Sequence, residues 1–290
     1  MATTDALEAD ADSRLRQVTA TLTPDSRFPV PQSDGYSVYS ALLSLLSEVD
    51  EDVGASVHDS PMGGLHCSGL QGRFGESDRA HHKLLLPGET YDLSLGIIHP
   101  DDAAVFQALV NALVLENVSI DLSHGSLAVE RFESENTTHA ALLERADAAE
   151  DPAVRMDFQT ATCIEVAEGV TTMFPSKEHV FRSLLGKWNR TCPADLELDL
   201  DPEALQSSVI EKPRAETYRT HSVLVNRVRN EDGENRNIFR QGFTGEVTYD
   251  FKGASESVEN ALVALGLFGG YSGVGSAVAR GCGSVGATIQ

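Results

Sequence analysis

The stretch that decides the fold lies near the C-terminus, where residues 269–286 read Gly-Gly-Tyr-Ser-Gly-Val-Gly-Ser-Ala-Val-Ala-Arg-Gly-Cys-Gly-Ser-Val-Gly. Seven of these 18 residues are glycine, a density that is costly in chain entropy. Because glycine lacks a Cβ and tolerates positive φ, several backbone N–H groups of such a loop can point at one anion. Ser272, Ser276 and Arg280 would add side-chain donors and one positive charge. We therefore predict a loop that binds a polyanion, most simply RNA.

Three other interpretations of this glycine-rich run stay open. A dinucleotide-binding loop needs G-x-G-x-x-G between a strand and a helix, but Val278 occupies the third glycine position. The segment Gly273-Val-Gly-Ser-Ala resembles the loop of GHMP-type small-molecule kinases, which would require ATP and magnesium. That kinase loop opens a helix in the middle of a chain, whereas this run lies almost at the C-terminus. The third interpretation is a loop that merely packs tightly.

Outward from the run, hydrophobic spacing predicts two β-α-β-β-α-β units. Tyr39, Leu42, Leu43 and Leu46 follow the i, i+3, i+4, i+7 pattern of a helix with one buried face. The first unit comprises a strand at 14–22, a helix at 35–49, strands at 65–70 and 91–98, a helix from an N-cap at Asp101, and a strand at 127–132.

A charged linker, residues 144–157, is predicted to lead into the second unit. This unit comprises a strand at 157–166, a helix at 176–190, a long hairpin at 214–251 with its turn at 231–233, a helix at 255–268 and a strand at 284–289. Two such units predict an α+β fold of two tandem ferredoxin-like domains, residues 14–145 and 155–290. Residues 1–13, acidic and rich in alanine, are expected to form a disordered tail.

The overall charge first argues against nucleic acid. The 290 residues carry 22 Lys and Arg against 44 Asp and Glu, a formal net charge of −22. Phosphate binding normally leaves a basic footprint. Only five basic residues are lysines and the acidic residues are spread over the whole chain, which is typical of proteins from a high-salt cytoplasm. There the Debye length falls to ~3 Å at 1 M salt, so the charge indicates an environment more than it excludes RNA.

Other classes of site are not indicated. The four cysteines, Cys67, Cys163, Cys192 and Cys282, form no C-x-x-C pair, so we expect reduced thiols and neither a disulfide nor a zinc site. No apolar run approaches the ~20 residues that span a membrane, and no signal peptide is visible. We expect a cytoplasmic protein without metal or small-molecule cofactor.

With these elements in place, a family resemblance becomes specific. The segment Gly242-Phe-Thr-Gly-Glu-Val, a helix, then Gly273-Val-Gly275 and Gly281-Cys-Gly283-Ser-Val is similar to the C-terminal signature of the RAMP proteins. Among these the chain resembles the CRISPR-associated endoribonucleases that cut precursor CRISPR RNA within each repeat, as a haloarchaeal-type member. Pro31, the helix after it, Val57-His58 and Cys67-Ser-Gly-Leu resemble the first helix and catalytic-histidine region of that family.

The resemblance implies a fold and a set of partners. The family has a pair of ferredoxin-like domains, and its C-terminal glycines face RNA, which corresponds here to Gly273, Gly275, Gly281 and Gly283. It also implies a hydrolase of antiviral defence whose partners are the CRISPR repeat RNA and subunits of an interference complex. A RAMP subunit that holds RNA without cutting it would keep the same glycine pattern, and remains an alternative.

The resemblance also implies a metal-independent mechanism. The RNA 2′-hydroxyl attacks the adjacent phosphate, which requires a base, an acid and donors for the developing charge, and leaves a 2′,3′-cyclic phosphate and a 5′-hydroxyl. Histidine suits both proton transfers because its unperturbed pKa is ~6.5. His58, predicted to lie in a loop at 51–64, matches the catalytic histidine of the family by its distance from Pro31 and the first helix. A loop histidine that only caps a turn is the structural alternative.

The chain departs from the family at two positions. Family members often carry a tyrosine in the first helix and a lysine after the histidine, where this chain has Leu42-Leu43-Ser44 and Gly63-Gly64. The residues that could substitute are Tyr36, Tyr39, His66, Ser68 and Lys83. His58-Asp59 as an HD-type metal site and His81-His82 as a metal pair both lack supporting carboxylates.

The basic residues concentrate in one region. Residues 177–240 contain 11 of the 22 basic residues and 11 acidic ones, so this stretch is neutral within an acidic chain. Strand alternation predicts that Arg219, His221, Arg227 and Arg229 share one face, with Tyr218, Leu224 and Val228 packed inward. Because this region contacts RNA in the family, we expect Arg227 and Arg229 to bind phosphates. Pairing of these arginines with surface glutamates is the alternative.

Overall fold

The computed structural model describes residues 14–59, 65–98, 102–229 and 235–290, and shows a mixed α+β fold. Its first half contains β1 (Arg14–Pro24), β2 (Phe28–Pro31), α1 (Gly35–Val49), α2 (Glu51–Asp59), β3 (Leu65–Gly72), β4 (Gly75–Glu76), β5 (His82–Leu85), β6 (Tyr91–Ile97), α3 (Asp102–Val110) with a π-helical turn (Asn111–Leu115), β7 (Ile120–Leu122) and β8 (Gly125–Thr138). No helix in these ranges is both long enough and apolar enough to cross a membrane.

The first sheet has the order β3-β6-β1-β8-β7, with every neighbouring pair antiparallel. If only β1, β3, β6 and β8 are numbered in chain order, their order across the sheet is second–third–first–fourth. A β-α-β-β-α-β chain gives this order when each helix connects two strands that have one strand between them. A separate small sheet has the order β2-β5-β4. The buried face of α1 contains Tyr39, Leu42 and Leu46 as predicted, together with Leu45, while Leu43 is only half-buried.

The segment after α1 differs from its prediction as a loop. Residues 51–59 form helix α2, because Asp50 caps its N-terminus: the Oδ1 atom accepts from the N–H of Asp52 at 3.0 Å and of Val53 at 3.2 Å. Val57 packs into the core of the first half. Position 58 is therefore on a helix that lies against α1.

The second half contains α4 (His139–Asp147), β9 (Ala153–Thr162), β10 (Ile164–Ala167), β11 (Val170–Thr172), α5 (Lys177–Thr191), a 3₁₀ turn (Ala194–Leu196), α6 (Pro202–Ser208), β12 (Val209–Pro213), β13 (Arg219–Arg229), β14 (Asn235–Phe251), α7 (Glu256–Ser272), a second 3₁₀ turn (Val278–Arg280) and β15 (Val285–Ile289). Its main sheet has the order β12-β14-β9-β15, and β13 pairs with the first part of β14. The second–third–first–fourth order therefore occurs again.

Two predicted segments of this half need correction. The predicted hairpin at 214–251 was expected to supply two strands of the repeat, but the second strand is β12, and β13 is an addition that pairs beyond it. The predicted linker at 144–157 contains the end of helix α4 and the start of β9. Thr138 caps α4 by accepting from the N–H of Ala141 at 3.1 Å, and buried His139 and Leu142 hold the helix in place.

Helix α7 is longer than predicted and lies between the two halves. It contacts β6 and β1 of the first sheet and β9 and β15 of the second. Close approach depends on glycine: a Cβ on Gly96 would lie 1.8 Å from the carbonyl oxygen of Tyr271, and one on Gly266 would lie 2.6 Å from Val154 Cγ1. Residues 269–272, predicted as the start of the loop, are therefore the last turn of a buried helix.

Candidate functional site

The backbone of the glycine-rich run is hydrogen-bonded inside the protein. The N–H of Val274 donates to the carbonyl of Gly283 at 2.8 Å, and that of Gly275 donates to Ser183 Oγ at 2.9 Å. The N–H groups of Ser276, Gly283 and Ser284 donate to Cys163 O (2.7 Å), Ala161 O (3.1 Å) and Thr160 Oγ1 (2.9 Å). The prediction that these groups point together at one anion is wrong, because each is already satisfied by β9, α5 or the loop itself.

The glycines of the run are required by close contacts. A Cβ on Gly283, whose φ is +70°, would lie 2.0 Å from the carbonyl oxygen of Val274. One on Gly275 would lie 2.5 Å from the carbonyl oxygen of Cys163, and one on Gly281 would lie 2.6 Å from Gly35 Cα. These contacts join the loop to β9 and to the start of α1, so they favour the tightly packed loop among the open interpretations.

The two serines predicted to bind RNA make internal hydrogen bonds. Ser272 is only 1% exposed and its Oγ donates to the carbonyl of Gly273 at 2.9 Å. The Oγ of Ser276 donates to the carbonyl of Cys163 at 2.9 Å. Ser272 is therefore inaccessible to RNA in this conformation, whereas Ser276 keeps partial exposure beside helix α5.

The accessible edge of the loop opens into a groove between the two halves of the molecule. Its volume is about 520 Å³. The first half lines it with Asp34, Gly35, Ser68 and Lys83 among others, and the second half with Thr220–Leu224, Thr244, Arg280 and Gly281. Of the residues predicted to bind RNA, Arg280 and Gly281 thus lie on its wall.

An ion pair of Lys83 and Asp34 lies at one end of this groove. Lys83 Nζ lies 3.1 Å from Asp34 Oδ2 and 3.7 Å from the centre of the Phe74 ring. Burial raises the pKa of the Asp34 carboxyl, and the Lys83 ammonium opposes that shift. Asp34 is the N-cap residue of α1, so its carboxyl group lies beside both the Lys83 ammonium and the partial positive charge of the helix N-terminus.

Arg280 connects the groove to both halves. Its Nη1 donates to the carbonyl of Val225 at 3.1 Å, and its guanidinium carbon lies 5.9 Å from the centre of the Tyr36 ring. The side chain therefore reaches from the loop to β13 and towards α1. A fixed guanidinium at this position presents a directed donor and a charge to an anion in the groove.

A second basic surface lies beside the other edge of the loop. His179, Arg182, Ser183, Gly186 and Arg190 of α5 line a pocket of about 270 Å³ together with Gly275 and Ser276. The exposed arginines Arg182 and Arg190 were missed by the sequence reasoning. The sequence could have indicated them, because residues 182, 186 and 190 are spaced four apart and therefore lie along one face of the predicted helix.

A buried lysine and histidine lie beneath the loop. Lys187 Nζ donates to the carbonyls of Ser272 at 3.1 Å and Gly273 at 2.7 Å, where it offsets the negative C-terminal end of α7. Burial, and then Arg190, lower the pKa of Lys187 to about 7. His66 is 3% exposed, and burial, followed by the charge of Lys187, lowers its pKa to about 3.

The candidates for a second catalytic residue differ in how accessible they are to a ligand. His66 is buried and neutral, and the buried Ser68 Oγ donates to the carbonyl of Gly69 at 2.7 Å. Tyr39 is buried, and burial raises the pKa of its hydroxyl. Tyr36 and Lys83 remain partly exposed, Lys83 in the groove.

The side chains of three predicted site residues, His58, Arg227 and Arg229, lie outside the described residues. The backbone register nevertheless corrects one expectation. Leu224 pairs with Phe239 and Asn226 with Ile238, so Val225 is an extra residue, a β-bulge. The alternation shifts at this bulge, and positions 227 and 229 therefore do not share a face with Arg219 and His221. Val228, predicted to pack inward, is exposed.

Within the described ranges, no group of three or more His, Cys, Asp or Glu residues is arranged to hold a metal ion. His81 and His82 diverge as expected for neighbours: His81 has a positive φ of 61°, and His82 Nδ1 is hydrogen-bonded to the carbonyl oxygen of Ala80 at 2.8 Å.

Comparison with known proteins shows which family the chain is similar to. Residues 156–285, which include α5, the hairpin and all but the last residue of the glycine-rich run, match the family model of the CRISPR-associated endoribonuclease Cas6. The predicted resemblance to the RAMP-type endoribonucleases is confirmed. No curated protein matches the sequence.

Solved Cas6 structures share the fold over nearly the whole chain. Thermus thermophilus Cas6 is 20% identical, with 95% of this chain and 99% of that one covered and a TM-score of 0.65. A Cas6 complex with a substrate mimic is 19% identical over 95% of this chain and 100% of that one, at a TM-score of 0.63. A Cas6-related protein from Pyrococcus furiosus is 10% identical over 95% and 98% of the two chains, at a TM-score of 0.58.

Proposed function

We propose that the chain is an endoribonuclease that processes CRISPR precursor RNA by cutting within each repeat. The observation that carries this proposal is the Cas6 family match over residues 156–285. It is supported by a full-length fold shared with Cas6 proteins that were solved with product and with a substrate mimic. The groove between the halves has Arg280 on one wall and Lys83, paired with Asp34, on the other, so it offers a polyanion cationic donors from both halves.

The domain organisation is part of the proposal. The repeated second–third–first–fourth strand order supports two ferredoxin-like domains, at residues 14–145 and 155–290. Helix α4 connects the two domains and packs on α7, so the connection between the domains is a packed helix and not an extended linker. RNA that lay in the groove would contact both domains.

For the chemistry we propose metal-independent attack by the RNA 2′-hydroxyl. The 2′-hydroxyl loses its proton as its oxygen forms a bond to phosphorus. The bond between phosphorus and the 5′-oxygen breaks, and that oxygen takes up a proton as it leaves. His58 transfers at least one of these protons. Lys83 and Arg280 stabilise the charge on the phosphorane oxygens, a role first expected of the backbone N–H groups that the loop uses internally.

The RNA path follows the basic surfaces. Beyond the groove, Arg182 and Arg190 flank the exposed edge of Gly275 and Ser276, and Arg227 and Arg229 belong to the hairpin strand β13. The partners are then the repeat RNA and, after cleavage, subunits of an interference complex. At high salt, where counterion release contributes less, directed arginine hydrogen bonds would carry more of the affinity.

The test is cleavage of repeat RNA in the presence of EDTA, with the wild-type chain, His58→Ala and a matched His124→Ala control. His124 is exposed on the turn that joins β7 to β8. We expect a cyclic-phosphate end and a 5′-hydroxyl from the wild type and the control, and a loss of about 100-fold or more in rate for His58→Ala.

The outcomes separate the alternatives. Undiminished cleavage by His58→Ala would contradict the assigned residue, and cleavage only with added divalent metal would contradict the mechanism. Tight binding of repeat RNA without cleavage by the wild type would favour the RNA-holding RAMP subunit. Phosphate transfer from ATP to a small molecule, with no RNA binding, would favour the kinase.

A further inference from the structure

One aromatic side chain stands exposed on the hairpin of β13 and β14. Phe239 is 55% exposed, although phenylalanine is usually buried in a folded protein. Four positions further along the chain on the same face, Phe243 is fully buried against Phe158, at 5.0 Å between ring centres. The hairpin therefore extends past the helices that cover the rest of the sheet and leaves the ring of Phe239 open to solvent.

The strand register places Phe239 next to the groove. Its direct cross-strand neighbour is Leu224, which is one of the groove-lining residues. Side chains at such opposed positions lie ~5 Å apart on one face of the sheet. On the other side of Phe239, the shift at Val225 brings positions 227 and 229 to the same face, opposite Asn237 and Asn235. A chain that left the groove along this face would meet Phe239 first.

The charge of the hairpin indicates which kind of ligand would bind its exposed face. Residues 219–229 and 235–245 contain five arginines and no aspartate or glutamate, and the turn between them, residues 230–234, contains three acidic residues. By the strand register, positions 227 and 229 lie on the face of Phe239, whereas Arg240 lies on the opposite face and pairs with Glu165 at 2.6 Å. The opposite face of the hairpin packs on the glycine-rich run, where Val225 and Ile238 contact the cluster of Cys163, Cys282 and Ala277. The face of Phe239 is therefore the one left available, and its surroundings complement a polyanion better than an acidic protein surface.

We propose that the Phe239 ring stacks on the base of an unpaired nucleotide of the bound RNA, at the point where the strand leaves the groove. This rests on the proposed function, and adds to it a binding site for single-stranded RNA. Every base has a π-face, so the contact tolerates sequence, while positions 227 and 229 offer arginines to the flanking phosphates. The exposed Gln241, hydrogen-bonded to Ser222 at 3.0 Å, supplies polar groups on the same face.

The test compares Phe239→Ala with Phe239→Trp and with Phe174→Ala. Phe174 is 43% exposed, near the start of α5, and serves as the matched control. The RNA probe is a hairpin with single-stranded flanks that carry 2-aminopurine, and its blunt duplex counterpart lacks the flanks. We expect Phe239→Ala to raise the dissociation constant for the flanked RNA by roughly fivefold to 100-fold, because a stacked base contributes ~1–3 kcal/mol.

Phe239→Trp should restore the affinity and quench 2-aminopurine fluorescence, and Phe174→Ala should bind like the wild type. The slope of affinity against salt should stay unchanged in Phe239→Ala, since stacking releases no counterions. Equal affinities of Phe239→Ala and wild type for the flanked RNA would overturn the stacking site and leave the cleavage proposal standing. Failure of the wild type to bind either RNA would overturn the proposed function itself.

Discussion

The glycine-rich run and the β13–β14 hairpin are adjacent in the fold, but they differ in what they leave for a ligand. In the run, the N–H of Val274 is hydrogen-bonded within the run to Gly283, and those of Gly275 and Ser276 are hydrogen-bonded to Ser183 and Cys163. In the hairpin, Phe239 is exposed, and residues 219–229 and 235–245 contain five arginines, of which Arg240 pairs with Glu165 at 2.6 Å. The segment most conspicuous in the sequence is thus structural, and the less conspicuous one has the free surface.

The physical reason lies in what each residue type makes possible. Glycine density indicates that backbone must come close to something, but not whether that partner is a ligand or another part of the same chain. Here the partner is the start of α1, the end of β9 and α5. The run acts as a joint between the two halves, and Arg280 at its edge is the part that faces the groove.

The largest expected effect separates packing from binding in the run. Gly283→Ala should lower the free energy of unfolding by about 3 kcal/mol, because its Cβ would overlap the carbonyl of Val274 at a positive φ. Gly253→Ala is the matched control, since Gly253 has φ +71° with nothing within 4 Å. It should cost about 1 kcal/mol in the same urea titration. If Gly283→Ala is as stable as the control and loses only RNA binding, the run is a ligand surface after all.

A smaller effect tests the hairpin. Replacing Arg227 and Arg229 together by alanine should weaken binding of repeat RNA about tenfold at low salt. It should also reduce the salt slope by roughly 1.4, as expected for two lost phosphate contacts to a single strand. Arg73→Ala is the control, because the Arg73 side chain is 84% exposed in the first half, near Glu89. An unchanged slope in the double variant would remove the hairpin from the RNA path.

The smallest expected effect near neutral pH is that of His66, buried beneath the glycine-rich run, on the free energy of unfolding. Because the pKa of His66 is lowered from 6.5 to about 3, the unfolded chain binds its proton more readily than the folded chain between these values. Stability should therefore fall as the pH is lowered from about 6.5 towards 3. At pH ~6 this contributes about 1 kcal/mol or less. His66→Asn should show a shallower loss in acid unfolding curves, and parallel curves for the two proteins would show that His66 does not titrate in this way.

The fold was predictable where the signal is local. Hydrophobic spacing predicts most of the buried face of α1 and the succession of strands and helices in the first repeat, and these hold in the structure apart from Leu43 and the added short elements. Helix α2 was missed because its cap, Asp50, begins a short segment with little apolar periodicity. The strand β12 was missed because Val209–Pro213 is short and follows directly on α6.

The site was predictable only in part, for a related reason. Arg280, which the sequence predicts to bind RNA, lines the groove, and its role stays a prediction. The partners of the loop, Cys163 and Ser183, are about 100 positions away in the chain, so no sequence spacing indicates that they take up its N–H groups. The bulge at Val225 is equally invisible in the alternation of β13, and it changes which face Arg227 and Arg229 occupy. The roles of His58, Arg227 and Arg229 stay predictions.

The most direct test of the contrast is hydrogen–deuterium exchange of the chain with and without repeat RNA, in EDTA and with His58→Ala so that the RNA stays intact. The N–H groups of residues 274–276, 283 and 284 should already be protected in the free protein and change little on binding, while peptides covering 219–229 and 236–245 should gain protection. Rapid exchange of the run in the free protein, slowed by RNA while the hairpin stays unchanged, would contradict this account.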